Sequence, residues 1–161
     1  MNMSYGYSKI ILTMILAMCL RILPLSSESA VYNPDWVLLV LIYWSLAVPE
    51  TVGIFTAWTF GLFSDVLTGQ LIGQHALAYS LVVYICLKLH KRIRQFPLLQ
   101  QEVFIFFCLL LSQLLLFLVK NLLHPAQLHS TFWLPVFTGT LLWPLIYTVL
   151  RFVRLAQPVQ K

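Results

Sequence analysis

Ionisable residues at the edges of apolar stretches are the first candidates for chemistry in this 161-residue sequence. Arg21 interrupts the first apolar run, Asp35 opens the second within the segment NPDW, and Asp65 closes the third. An ionisable group in or beside a membrane span is costly, so it is usually paired or functional. One guanidinium among two carboxylates predicts a structural ion cluster in the outer leaflet. The alternative is that Asp35 and Asp65 are a catalytic acid and base pair, as an intramembrane aspartyl protease needs.

The permanent charge of Arg21 argues against the protease, because it stabilises both carboxylates in the ionised form and the dyad needs a shared proton. Other enzyme classes lack their motifs, since the sequence contains no GxSxG elbow, phosphate-binding loop or paired-histidine motif. Its four histidines and three cysteines show no metal-ligand spacing. We therefore predict no catalytic residue, no metal site and no cofactor.

Small residues recur at every fourth position along the third apolar run and into the turn beyond it. The small residues of this series are Gly53, Ala57, Gly61, Gly69 and Gly73, and Asp65 occupies the position between Gly61 and Gly69. Each step of four residues advances only about 40° around a helix, so the first three members line one face. Small side chains let helices approach closely in lipid. This face is predicted to contact either another span of the chain or a partner helix, while Gly69 and Gly73 shape the turn.

The elements that must position these residues are membrane spans. The chain is 60% hydrophobic and 9% charged, which is far more apolar than a soluble domain. Six apolar segments meet or approach the length of about 20 residues that a bilayer core requires. They cover approximately residues 9–24, 34–48, 50–67, 71–89, 103–123 and 132–153. We predict an all-α, polytopic, single integral membrane domain whose second and third spans are short.

The distribution of Lys and Arg predicts the orientation of these spans. If the N-terminus is cytoplasmic, the outer side holds only Arg21 and Lys120. The inner side then holds the other eight basic residues, which are Lys9, Lys88, Lys91, Arg92, Arg94, Arg151, Arg154 and Lys161. Cytoplasmic loops carry such an excess, so both termini are predicted in the cytoplasm. The net charge of +5 does not indicate nucleic acid, because these residues cluster at the ends of apolar runs.

Two tryptophans agree with this orientation. Trp36 and Trp133 fall at the outer interface, where amphipathic rings prefer to lie, and are predicted to be interfacial anchors. An alternative for the first run is a signal peptide, because Ser27 and Ser29 form a small-x-small pattern after it. Arg21 interrupts that run and argues against the alternative.

Two short segments have the order of helix starts. In NPDW, Asn33 is predicted as the N-cap and Pro34 as the first helical residue. In VPET, Glu50 is predicted to cap the third helix, near the positive end of its dipole.

Three blocks of sequence carry a resemblance to a known family. They are NPDWVLLVLIYWSLAVP at residues 33–49, GLFSDVLTGQLIGQHALAY at residues 61–79 and LLWPLIYTVLR at residues 141–151. With its length, six predicted spans and basic C-terminal region, the chain resembles the rod shape-determining protein MreD family of Gram-negative bacteria. Ala57 departs from the pattern, since the family often has a different small residue there.

The resemblance implies a non-enzymatic scaffold of the bacterial inner membrane that helps maintain rod shape during peptidoglycan synthesis. The implied partners are membrane lipid and MreC, a bitopic protein, together with MreB, RodA and penicillin-binding protein 2 of the elongation complex. The implied fold is similar to the S component of energy-coupling-factor vitamin transporters. A substrate-binding transporter subunit is therefore the alternative function, although the sequence offers few polar loop residues for a small-molecule pocket.

Overall fold

Six α-helices build the protein in the computed structural model, which describes residues 3–23, 32–123 and 130–155. The helices are α1 (Met3–Ile22), α2 (Trp36–Ala47), α3 (Ile54–Thr68), α4 (Gln74–Ile93), α5 (Leu98–Leu123) and α6 (Leu134–Leu155). A short 3-10 helix, Ser130–Trp133, precedes α6. No strand occurs within the described ranges, and the all-α prediction is confirmed. Ser27, Ser29 and the predicted end of the first span at residue 24 lie outside them.

Helix α2 lies at the centre of the bundle. Every residue from 37 to 46 is buried, against α1, α4 and α6. Its 12 residues span only about 18 Å, well short of a hydrocarbon core of roughly 30 Å. Neighbouring helices enclose α2, and the residues that flank it, from 33 to 35 and from 48 to 49, are buried or half-buried. Irregular backbone at membrane depth is tolerated in that setting.

The two longest apolar helices form the other side of the bundle. The segments Leu98–Leu122 of α5 and Leu134–Leu155 of α6 are long and apolar enough to cross a membrane. They pack closely at Gly139, where an added Cβ would lie 2.8 Å from Cδ1 of Leu109. The five helices that surround α2 turn large apolar side chains outward, as a protein solvated by lipid requires. That each helix crosses the membrane stays a prediction.

The predicted start of α2 is displaced by two residues. The N-cap is Asp35, whose carboxylate accepts a hydrogen bond from the backbone N–H of Leu38 at 3.2 Å. Asn33 instead accepts from the indole Nε1 of Trp36 at 2.7 Å, and Pro34 precedes the cap. A carboxylate at the positive end of a helix dipole is a stronger acceptor than an amide, which favours the later start.

The predicted cap at Glu50 is also wrong. Helix α3 begins at Ile54 with Gly53 as its N-cap, and Glu50 is an exposed residue of the preceding turn. In that turn the carbonyl of Val48 accepts from the N–H groups of Thr51 and Val52 at 3.1 and 3.2 Å. The turn buries the side chain of Val52 completely before the helix starts, and this apolar burial favours the delay.

Contacts between helix termini show which of them lie at the same end of the bundle. Lys9 Nζ donates to the carbonyl of Val153 at 3.0 Å, which joins the first half of α1 to the last turn of α6. Arg94, after α4, donates to the carbonyl of Ala47 at the end of α2. We call this side, which holds Lys9, Arg94 and Arg154, the basic end. The opposite side holds Arg21, Asp35 and Asp65 and is called the cluster end.

Candidate functional site: a polar cluster joining four helices

Asp65 is the most deeply buried charged residue of the cluster end. Its side chain, in the last turn of α3, is fully inaccessible to solvent. Oδ2 accepts from the backbone N–H of Gly73 at 2.8 Å, and Oδ1 accepts from the backbone N–H of His75 at 3.0 Å. These amides open α4, where unpaired N–H groups and the helix dipole favour an anion. The carboxylate therefore caps the helix that follows its own.

Two glycines make this capping possible. Gly69 ends α3 with φ 61°, and Gly73 begins α4 with φ 104°. Both values lie in the left-handed region, where a Cβ is costly. The two residues reverse the chain within a few positions, so that the amide of Gly73 points back to Asp65. Gly69 and Gly73 therefore lie in the turn that the small-residue series predicts.

His75 connects Asp65 to Arg21. Its Nδ1 lies 2.6 Å from Oδ1 of Asp65, and its Nε2 lies 2.8 Å from Nη2 of Arg21. A guanidinium only donates hydrogen bonds, so Nε2 must be the acceptor and carry no proton. The proton is then on Nδ1, from which it is donated to the carboxylate. These contacts select one neutral tautomer of the ring.

Arg21 also binds the second carboxylate of the cluster. Its Nη1 lies 2.5 Å from Oδ1 of Asp35 and donates to the hydroxyl of Tyr79 at 3.1 Å. The same hydroxyl is 2.7 Å from both carboxylate oxygens of Asp35, to which it donates. Contacts therefore run without a break from Asp65 through His75 and Arg21 to Asp35. Tyr79 contacts both Arg21 and Asp35. We call these five residues the polar cluster.

The polar cluster joins α1, the N-cap of α2, α3 and α4. The side chains of Asp65 and His75 are 0% and 5% exposed, whereas Arg21 and Asp35 are 15% and 18% exposed. Buried charges are tolerated when they are paired, and each charged group of the cluster has a polar partner, although Nε of Arg21 has none in the described part of the chain. Asp35 and Asp65 have no direct contact, because Arg21 and His75 lie between them. The geometry therefore supports a structural cluster and does not provide the shared proton of a protease dyad.

The members of the small-residue series have two structural roles: some lie where helices pack, and others lie in turns. At Gly61 an added Cβ would overlap Cα of Ala76 and lie 2.6 Å from its N and 2.9 Å from C of His75. Helices α3 and α4 therefore meet backbone to backbone at this glycine. Ala57 is fully buried, while Gly53 has no atom within 4 Å of an added Cβ. At Gly61 the face contacts α4 of the same chain.

The two predicted anchors lie at the cluster end. Trp36 is half-buried, and its indole is held by Asn33. Trp133 ends the 3-10 helix and contacts Phe132, with 5.8 Å between the ring centroids. Their role at the membrane interface stays a prediction.

His75 and Tyr79 are the cluster members that the sequence analysis missed. Histidines were considered there only as metal ligands or paired catalytic groups, whereas His75 binds a carboxylate and a guanidinium. Their spacing of four residues places both on one face of α4, ten and fourteen positions after Asp65. Two polar side chains on one face of an apolar helix, so close to an aspartate, were the available signal.

The comparison with known families covers nearly the whole chain, including the polar cluster. The family model "rod shape-determining protein MreD" matches residues 1–153. The chain belongs to the MreD family. A relative from Haemophilus influenzae, "Rod shape-determining protein MreD", is 34% identical over 140 residues, which are 87% of this chain and 86% of the relative. The resemblance and the role in rod shape are thereby confirmed.

Membership of the MreD family and the apolar helices identify the chain as a membrane protein. No solved structure matches it, so the similarity of the MreD fold to a transporter S component stays a prediction. Both helices joined at Gly61 and all five residues of the polar cluster lie within the region that the MreD family model matches.

Proposed function

We propose that the chain is a multi-span scaffold of the bacterial inner membrane that binds MreC within the wall elongation complex. The polar cluster is the observation that carries this proposal. Its charged groups bind one another across four helices and hold one arrangement of the bundle, while apolar side chains cover the outside. A rigid body with an apolar exterior suits a protein that binds the transmembrane helices of partners.

The same contacts favour a scaffold over an enzyme. A general base needs a free acceptor within reach of a substrate proton. Both ring nitrogens of His75 are occupied, and the Asp65 carboxylate accepts from two backbone amides and the imidazole. These contacts therefore hold the helices together and leave neither His75 nor Asp65 free to act as a general base.

The partner helix is proposed to bind the outer surface rather than the small-residue face. Gly61 and Ala57 are buried within the chain. Away from that face, α3 exposes large apolar residues, including Phe55, Phe63 and Val66. MreC is the proposed occupant of the outer surface, and MreB, RodA and penicillin-binding protein 2 are proposed to join through the complex.

The proposed topology is six spans with both termini in the cytoplasm. The grouping of Lys9, Arg94 and Arg154 at one end of the bundle supports it, because cytoplasmic ends carry the basic excess. Reporter fusions after Lys161 and within residues 91–97 are expected to read cytoplasmic. Fusions near Ser27 and Gln127 are expected to read periplasmic. A reversed reading at either pair would exclude this arrangement.

Depletion of the protein is expected to round rod-shaped cells, because lateral wall elongation would lose its scaffold. Re-expression of the wild-type chain should restore rods, and MreC should copurify with it from mild detergent at a fixed ratio. Mass spectrometry of the same preparation tests the transporter alternative, which requires a retained small molecule. Rods that persist after clean depletion, without a second copy of the gene, would contradict the proposal.

A further inference from the structure

A cavity of about 320 Å³ opens at the basic end, between α2, α4, α5 and α6. The lining residues with polar groups are Tyr43, Arg94, Gln101, Trp143, Tyr147 and Arg154. It lies across the bundle from the polar cluster and shares no residue with it. A volume near 300 Å³ is enough for a small polar headgroup.

Two lining residues carry donors that have no partner. Tyr43 is 3% exposed and Trp143 is 0% exposed. Neither the hydroxyl of Tyr43 nor the indole Nε1 of Trp143 has a hydrogen-bond partner in the described part of the chain. Both atoms are covered by neighbouring side chains, so an acceptor that enters the cavity reaches them when those side chains move aside.

Two guanidinium groups add uncompensated positive charge. Arg94 donates to the carbonyl of Ala47, which uses one of its five N–H groups. Arg154 is half-buried and has no acceptor among residues 3–23, 32–123 and 130–155. Positive charge that no described side chain neutralises favours an anionic ligand.

No acidic residue of the described part of the chain lines the cavity. Those residues are Asp35, Glu50, Asp65 and Glu102. The two aspartates belong to the polar cluster. Glu50 and Glu102 form no ion pair with the described residues. The charge of Arg94 and Arg154 is therefore open to an external anion.

We propose that this cavity binds the phosphate of an anionic phospholipid headgroup. Phosphate oxygens are pure acceptors, which matches the hydroxyl of Tyr43, the indole of Trp143 and the guanidinium N–H groups. Basic pockets between spans on the cytoplasmic side are suited to such headgroups. The choice of a lipid rests on the proposed membrane placement, in which the basic end lies at the cytoplasmic headgroup level.

An exposed apolar residue near the cavity favours a lipid over free phosphate. Phe152 lies two residues before Arg154 on α6, toward the middle of the bundle, and its side chain is 74% exposed. It offers an apolar surface on which an acyl chain can lie while the phosphate occupies the cavity.

Native mass spectrometry of the purified full chain with short-chain phosphatidylglycerol tests this site. The wild-type chain is expected to bind one such lipid more tightly than phosphatidylcholine, whose headgroup carries no net charge. Arg154→Gln is expected to lower the affinity by roughly tenfold or more, because it removes a charge-assisted contact to phosphate. Arg151→Gln is the matched control: it removes the same charge one turn earlier, at an exposed residue outside the lining. Equal effects of the two variants would overturn the proposal.

Tyr43→Phe separates binding from folding. Its hydroxyl has no partner in the described structure, so its removal is expected to leave the unfolding temperature of lipid-free protein unchanged or raised. The rise in unfolding temperature on adding phosphatidylglycerol should become smaller than in the wild type. Inorganic phosphate that displaces the lipid and stabilises equally would overturn the lipid assignment. Recovery of MreC, measured on the same variants, reports the scaffold function separately.

Discussion

Gly61→Leu is expected to abolish accumulation of the folded protein in the membrane. Even its Cβ would overlap backbone atoms of Ala76 and His75, which cannot rotate away as a flexible side chain can. Overpacking in a close contact commonly costs about 1 to 3 kcal/mol, and a rigid obstacle places this substitution at or beyond the upper limit. Separating α3 from α4 would also pull the His75 amide away from the carboxylate of Asp65.

A matched pair of serine substitutions makes this test specific. Gly61→Ser should lower membrane abundance and the unfolding temperature. Gly53→Ser adds the same atoms in open space and supplies an N-cap oxygen to α3, so it should be neutral or slightly stabilising. Leu62→Ala, next to Gly61, should have a smaller effect than Gly61→Leu. Wild-type abundance of Gly61→Leu with lost MreC recovery would instead assign this face to the partner.

Asp65→Ala is expected to destabilise the bundle by about 3 kcal/mol or more, because each buried donor that loses its acceptor costs about 1 to 3 kcal/mol. The substitution would leave the backbone N–H groups of Gly73 and His75 and the ring Nδ1 without their acceptor. The first turn of α4 would lose its cap, and His75 would lose the contact that selects its tautomer. Asp65→Asn should be milder, because one amide oxygen remains as an acceptor.

Unfolding temperature in detergent and abundance in the membrane measure this effect. Glu50→Gln is the control, because it removes a carboxylate from an exposed turn that forms no ion pair with the described residues. Both properties should stay at wild-type values in that variant. If Asp35→Asn and Asp65→Asn each abolished rod shape while abundance and stability were unchanged, the structural role of the cluster would be excluded and a chemical role favoured.

The polar cluster shows how far residue types and positions can predict a site. A cation and two carboxylates at the edges of three apolar runs are visible in the sequence, and their cost in lipid indicates that they are paired. The sequence does not show which of these groups contact one another. Arg21 contacts His75, which lies 54 positions later in the chain, and that contact depends on the rotation of α1 and α4 about their axes.

The helix starts show a second limit. Asn33 is a favoured N-cap by residue type and Glu50 suits the first turn of a helix, yet Asp35 and Gly53 are the N-caps. A cap depends on where the first free amides of a helix lie, and the burial of Val52 moves that point along the chain. Local preference differs little between neighbouring residues, so tertiary burial decides among them.

The sequence by itself determined the apolar all-α class, the grouping of basic residues and membership of the MreD family, because hydropathy, charge order and sequence blocks are properties of the chain in one dimension. Only the tertiary structure decided that Asp65 caps α4, that Gly61 packs inside the molecule and that Tyr43, Trp143, Arg94 and Arg154 surround one cavity. Those relations join residues from different helices. They depend on the turn at Gly69 and Gly73 and on how the helices are rotated, and neither is encoded in the order of any single segment.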